Sequence, residues 1–160
     1  MYLYRVGPKA FLETFNGLGG SYQYGGRWNE IGSPVIYFAS SPAIALLEMA
    51  NYLHSPRHVP PSYRMGVYEL PDAVTVETLP VDSLPKDWDD FPYPASTQAI
   101  GSEWLMSMSA LCLLMPSCTV PIVKAGEGVI VVNPRHLNIS KIKLVDATEK
   151  LYSKRLFSGK

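Results

Sequence analysis

Two cysteines in 160 residues exclude a disulfide framework, and Cys112 and Cys118 both sit in apolar surroundings. That usage suits a reducing compartment. Neither sign of charge is in excess. The 14 Lys and Arg balance 14 Asp and Glu, so no electrostatic footprint argues for nucleic acid or an anionic membrane. The last twenty residues carry six Lys or Arg against two acids, the pattern of a solvated terminus. Long hydrophobic runs are missing as well: "ALCLLM" is far too short to span a bilayer. The N-terminal "MYLYRVGPKAF" lacks the apolar segment of a signal peptide. The expectation is a soluble cytoplasmic protein of one domain, 1–160, with no membrane or nucleic-acid partner.

Several catalytic signatures are also missing. "GLGGSYQYGG" is rich in glycine, but it does not fit the dinucleotide fingerprint and lacks a strand-to-helix context. No phosphate-binding loop of the G-x-x-x-x-G-K-[ST] type and no G-x-S-x-G elbow occurs. His54 and His58 have the spacing of a metal pair, yet Pro56 lies between them and no third ligand is near, so no metal is expected.

What is present is a globular chain, 47% apolar, punctuated by short strand-like runs. "YLYRV" (2–6), "VIYFAS" (35–40), "YRMGVYEL" (63–70), "AVTVETL" (73–79) and "GVIVVNP" (128–134) read as strands, and "ISKIKLVDA" (139–147) alternates like an edge strand. Residues 17–32 hold six of the twelve glycines and read as a loop with tight turns. Residues 79–94 read as an irregular surface excursion. A second helix begins near Ser96 and passes into a strand near Leu111; "MPSC" (115–118) is a break. Many short strands with two main helices, outside any regular βαβ alternation, predict an α+β fold.

The first main helix poses the functional question. In "SPAIALLEMANYL" (41–53), Ser41 is placed to cap and Pro42 occupies the first helical position. The helix then reads as apolar on every face except at Glu48, whose neighbours at i−4 and i+4 are Ile44 and Tyr52. A buried carboxylate needs repayment: an ion pair, hydrogen bonds, or a cleft in which it works. Upstream, Arg27 follows two glycines, where backbone can approach a ligand and the arginine fork can grip phosphate. Tyr37 lies in the buried strand between them. A structural Arg27–Glu48 ion pair with Tyr37 as a core aromatic accounts for these residues as well as a functional site does.

The ordered series "YRV", "GGRWNEIGSPVIYFASSPAIALLE", "IGSEWL", "MPSC", "VIVVNPRH" and "RLF" resembles the RES domain, the toxin half of a bacterial toxin–antitoxin pair. The resemblance runs from about Tyr4 to Phe157. The family is named for an Arg, a Glu and a Ser, matched here by Arg27, Glu48 and Ser117. One departure concerns the residue two after Glu127, often Asn in relatives and here Val129. The resemblance implies a compact fold like that of the ADP-ribosyltransferase toxins, and an enzyme cleaving NAD⁺ at its nicotinamide–ribose bond. NAD⁺ is then substrate rather than cofactor, with water, phosphate as co-substrate, or a protein as acceptor.

On that resemblance Arg27, Tyr37 and Glu48 are the catalytic set. Arg27 holds the pyrophosphate, Tyr37 stacks on the nicotinamide or its ribose, and Glu48 stabilises the developing ribosyl cation. Arg5 in "YRV" is a second phosphate ligand, and Ser117 either binds substrate or secures the Arg27 loop. The implied partner is an antitoxin with a helix-turn-helix domain, whose C-terminal part blocks the active site; a homodimer is plausible by analogy. Two rivals remain: an ADP-ribosyltransferase acting on a cellular protein, with residues 79–94 open to acceptor recognition, and a catalytically dead module that only binds the antitoxin.

Overall fold

The computed structural model describes residues 1–53, 55, 58–120, 126–153 and 155. His54, one member of the suggested metal pair, lies outside the described residues, as do Leu156 and Phe157 of "RLF". Among the described residues no group of three metal-ligating side chains occurs. No helix there is long and apolar enough to cross a membrane.

Seven strands form one sheet: β1 (Tyr2–Pro8), β2 (Ile36–Ala39), β3 (Tyr63–Glu69), β4 (Val76–Thr78), β5 (Cys112–Met115), β6 (Val129–Val132) and β7 (Lys143–Thr148). Their order is β4-β5-β6-β2-β1-β3-β7, antiparallel except for the parallel β4–β5 pair. The α+β expectation therefore holds. β5 and β6 are buried at all four positions each, which is why both read as unbroken apolar runs. β7 lies at one edge as its alternation suggested, its outer residues mostly exposed. "AVTVETL" yields only the three residues of β4, because Val74 N–H closes a turn onto the Pro71 carbonyl (2.9 Å).

The register separates the two faces. Leu3, Phe38, Tyr68, Ile130 and Val132 point to a core covered by loops and short 3₁₀ turns, with Leu12 among its buried members. The opposite face carries the helices. α2 (Pro42–Ala50) buries Ile44, Ala45 and Met49 beside Ala39 and Met65. α3 (Ala95–Ser107) buries Leu105 with Trp28, Val131 and Met115. α2 starts as its sequence indicates: the Ser41 hydroxyl accepts from Ile44 N–H at 3.2 Å, and Pro42 follows. It is not buried all round, however. Leu47 is 46% exposed and the polar end of the helix faces a cleft, so its apolar surface is only partly core.

The glycine-rich stretch contains a five-residue helix, α1 (Gly20–Tyr24), where turns alone were expected. It ends at Gly25, whose φ of +79° suits glycine and few other residues. Residues 79–94 are irregular apart from a 3₁₀ turn at Val81–Ser83.

One junction in the sheet matters for function. β1 runs beside β3 through seven registered pairs, from Tyr2–Glu69 to Pro8–Tyr63, but it meets β2 at a single pair, Tyr4–Ala39. Beyond that pair β1 and β2 part. Arg5 and Val6 on one strand and Tyr37 and Phe38 on the other line the same cleft.

Candidate active site

The cleft at this parting has a volume of about 1020 Å³. Arg5, Arg27, Tyr37 and Glu48 all line it, so four of the five residues singled out from the sequence converge. Ser117 does not line it. It is 1% exposed and lies behind Glu48, to which its hydroxyl donates at 2.6 Å.

The "GGRWN" segment is a small machine for presenting Arg27. Gly26 N–H bonds the Asn29 carbonyl (3.0 Å), closing a tight turn around Arg27 and Trp28. A Cβ on Gly26 would stand 2.7 Å from Asn29 Oδ1 and 2.9 Å from the Tyr37 hydroxyl, so only glycine fits. Trp28 is buried under α3. There Gly101 comes so close to the Trp28 carbonyl that a Cβ would lie 2.0 Å from its oxygen. That contact explains the glycine of "IGSEWL". Asn29 is fully buried; its amide donates to the carbonyls of Ser21 (2.7 Å) and Glu30 (3.0 Å), and its Oδ1 accepts from the Tyr37 hydroxyl (2.8 Å). The same hydroxyl accepts from Trp28 N–H at 3.1 Å.

Tyr37 is therefore the post to which the turn is tied. Burial, set partly against the Trp28 hydrogen bond, pushes its pKa far above the usual tyrosine value. It stays a neutral hydroxyl at physiological pH and takes no part in acid–base work.

Arg27 itself is half-buried. Its Nη1 donates to the carbonyls of Trp88 (2.5 Å) and Asp90 (2.9 Å), and its guanidinium carbon lies 5.1 Å from the Tyr93 ring centroid. It forms no ion pair with Glu48. Ion pairs form elsewhere, between the N-terminal ammonium and Asp72 and between Arg64 and Glu149. The ion-pair account of these two side chains fails, and each is held separately.

Glu48 is held by a different set. Oε1 accepts from Ser117, whose hydroxyl oxygen is itself fixed by Val120 N–H (3.0 Å). Oε2 accepts a long bond from Asn51 Nδ2 (3.4 Å), and that amide also donates to Thr119 Oγ1 at 2.6 Å. Ser117 thus secures the carboxylate, not the Arg27 loop; Asn29 and Tyr37 take the loop-securing role. Asn29 belongs to the "GGRWN" motif, but nothing in the sequence marks it as the support of the turn. Asn51, Thr119 and Tyr93 carried no sequence signal, because their roles depend on contacts across 41 residues or more.

Arg5 reaches the cleft from the opposite face of the sheet. It is partly buried, beside Tyr68, and burial lowers its pKa from the ordinary arginine value. Its Nη1 is buried without a hydrogen-bond partner, an unused donor of the kind an anion complements. The two thiols are bystanders: burial pushes Cys112 up to about 12 and Cys118 up to about 11, so neither is a thiolate at neutral pH. At the departure after Glu127, Val129 lines the cleft, and the preceding Gly128 adopts φ +151°, where a Cβ would lie 2.1 Å from the Met115 carbonyl oxygen.

Comparison with known proteins supplies the context. The RES domain family matches residues 2–153. The chain is 38% identical over 137 residues to a Yersinia enterocolitica protein named Toxin Res, covering 85% of this chain and 86% of that protein. It is 35% identical over 134 residues to the Prs ADP-ribosylating toxin of a Sphingobium species, covering 82% and 80%. In structure, a chain of the M. tuberculosis MbcT–MbcA toxin–antitoxin complex superposes with a TM-score of 0.68 at 22% identity, covering 94% of this chain and 86% of that one, a likeness of fold. With a family match over residues 2–153 and a Toxin Res relative 38% identical over 85% of its length, this chain belongs to the RES domain family.

Proposed function

We propose that the protein is the toxin of a toxin–antitoxin pair and that it cleaves NAD⁺ at the bond between nicotinamide and ribose. The observation that carries this reading is the meeting of Arg27, Tyr37 and Glu48 on one cleft of dinucleotide size. The names of the relatives support the toxin part, and the origin of the structural neighbour in a toxin–antitoxin complex supports an antitoxin partner. The RES resemblance further implies that the partner carries a helix-turn-helix domain and occludes this cleft.

The chemistry asks little of the protein in proton transfer. Nicotinamide leaves as a neutral base, taking the electron pair of the glycosidic bond, and positive charge builds on the ribose as in glycoside hydrolysis. A fixed carboxylate beside that ribose stabilises the charge, a contribution of about 10²–10³ in rate. Glu48 has that role, held ready by Ser117. Arg27 binds the pyrophosphate through the donors that its carbonyl contacts leave unused, with Arg5 as a second phosphate ligand. Tyr37 offers its ring to the nicotinamide end while its hydroxyl holds the Arg27 turn. Water or phosphate then attacks the ribosyl carbon, giving ADP-ribose or its 1-phosphate and releasing a proton.

A second reading, ADP-ribosylation of a cellular protein, is favoured by the name of the Sphingobium relative. Proton NMR of NAD⁺ with antitoxin-free protein, with and without phosphate, separates these. Free nicotinamide that disappears with Glu48→Ala is the expected result, and phosphate dependence identifies the acceptor. Absence of turnover together with label transfer from NAD⁺ to lysate protein would favour the transferase; neither product from folded protein would sink both.

A further inference from the structure

Residues 85–94 form no helix or strand, yet three contacts from this strap converge on Arg27. The carbonyls of Trp88 and Asp90 take its Nη1, and the face of Tyr93 lies beneath its guanidinium at 5.1 Å, inside cation–π range. The strap is anchored at both ends. The Trp88 indole stacks on buried Trp28, with 6.5 Å between ring centres and 17° between planes. The Tyr93 hydroxyl lies 3.2 Å from that of Tyr52, in the turn that follows α2, four residues beyond Glu48. Phe91 meets Tyr93 edge-on at 5.5 Å and steadies the ring. Both tyrosines line the cleft.

We infer that Tyr93 is a positioning residue for the anion site: its ring fixes the Arg27 guanidinium so that the donors other than Nη1 stay available to the diphosphate of a nucleotide, and Tyr52 fixes the ring. This rests on the reading of Arg27 as the pyrophosphate ligand. A free arginine side chain loses rotamer freedom when it grips a ligand, whereas one already held against a ring has less to lose. The strap is then part of the substrate site in every turnover, not only a surface for an acceptor protein. Losing the ring weakens diphosphate binding, while the step at Glu48 is touched much less.

The test is calorimetric binding of ADP-ribose to the full chain, beside steady-state cleavage of NAD⁺. Tyr93→Leu is expected to weaken ADP-ribose binding about tenfold and to raise KM for NAD⁺ similarly, with kcat falling less than about threefold. Tyr93→Phe, which keeps the ring, stays within about threefold of the parent in binding. Should Tyr93→Leu fold poorly, pentafluorophenylalanine at position 93 replaces it: nearly the same shape, with the ring quadrupole reversed, and the same loss of binding is expected. Equal binding by ring-bearing and ring-deficient proteins overturns the proposal while leaving NAD⁺ cleavage standing. Tyr93-dependent binding without NAD⁺ turnover supports the proposal and removes the cleavage reading. A parent protein that does not bind ADP-ribose overturns the proposal, and the cleavage reading falls with it only if NAD⁺ is not turned over either.

Discussion

Arg27 and Glu48 reach the same cleft by different engineering. Arg27 stands on a turn whose own locks are close in sequence and mostly buried: Gly26, Trp28, Asn29 and Tyr37 hold one another through backbone and side chain alike. Gly101 of α3 packs against it, and the strap from Trp88 to Tyr93 holds the guanidinium. Glu48 stands on the last turns of a helix and is oriented by Ser117, Asn51 and Thr119, two of which lie on a loop nearly seventy residues away. Architecture places the first residue; a few hydrogen bonds tune the second. The phosphate-binding side of such a site is therefore rigid and intolerant of change, while the reacting side is open to adjustment at small cost.

The contrast is easiest to break at Gly101. A side chain there drives into the Trp28 carbonyl, which is backbone and cannot step aside. Gly101→Val should cost about 3 kcal/mol or more in urea unfolding and abolish nucleotide binding. A midpoint like the parent's would show that α3 does not hold the Arg27 turn. Next in size is Asn29→Ala, which strands a buried tyrosine hydroxyl. About 2 kcal/mol of stability is expected to be lost, with KM for NAD⁺ rising more than kcat falls.

Alkaline titration probes the same post. The folded-state pKa of Tyr37 is raised above its ordinary 10.0, so its contribution is complete below that pH and is lost progressively above it, as the unfolded chain ionises first. Tyr37→Phe should flatten the fall in stability above pH 10.0 by up to about 1.4 kcal/mol per pH unit. An unchanged slope would mean that the hydroxyl is not held protonated by burial. On the Glu48 side the effects reverse in kind. Ser117→Ala is expected to reduce kcat about tenfold for roughly 1 kcal/mol of stability, and Asn51→Ala about threefold for under about 0.5 kcal/mol. If either variant raised KM instead, the separation of the two supports would be lost.

That same contrast decides what could be read from the sequence. The Arg27 turn was legible because its requirements are local: two glycines, an arginine, a tryptophan and an asparagine in five consecutive positions leave a motif. β5, β6 and the Ser41–Pro42 start of α2 were legible for similar reasons, since burial on both faces and capping each act within a few residues. α1 was missed because a single helical turn inside a glycine-rich stretch has too few residues to show a period. α2 looks uniformly apolar in sequence because alanine reads as core wherever it stands, although Ala43 and Ala50 are exposed and only Ile44, Ala45 and Met49 are buried. Ser117 stayed open between substrate contact and support of the Arg27 loop, and its bond to Glu48 is neither, because a residue's chemistry is legible in sequence but not which functional group the fold brings beside it.

The lone Tyr4–Ala39 rung gives the sheet a seam. On one side of it stand four strands, β4-β5-β6-β2, and on the other three, β1-β3-β7; α2, packed on both β1 and β2, is the splint across the break. The site and the mechanical weak line of the fold are thus one place. A dinucleotide lying across the seam, gripped by Arg5 on one block and by the Tyr37-tethered turn on the other, would serve as the missing rungs and weld two half-sheets into one cooperative unit.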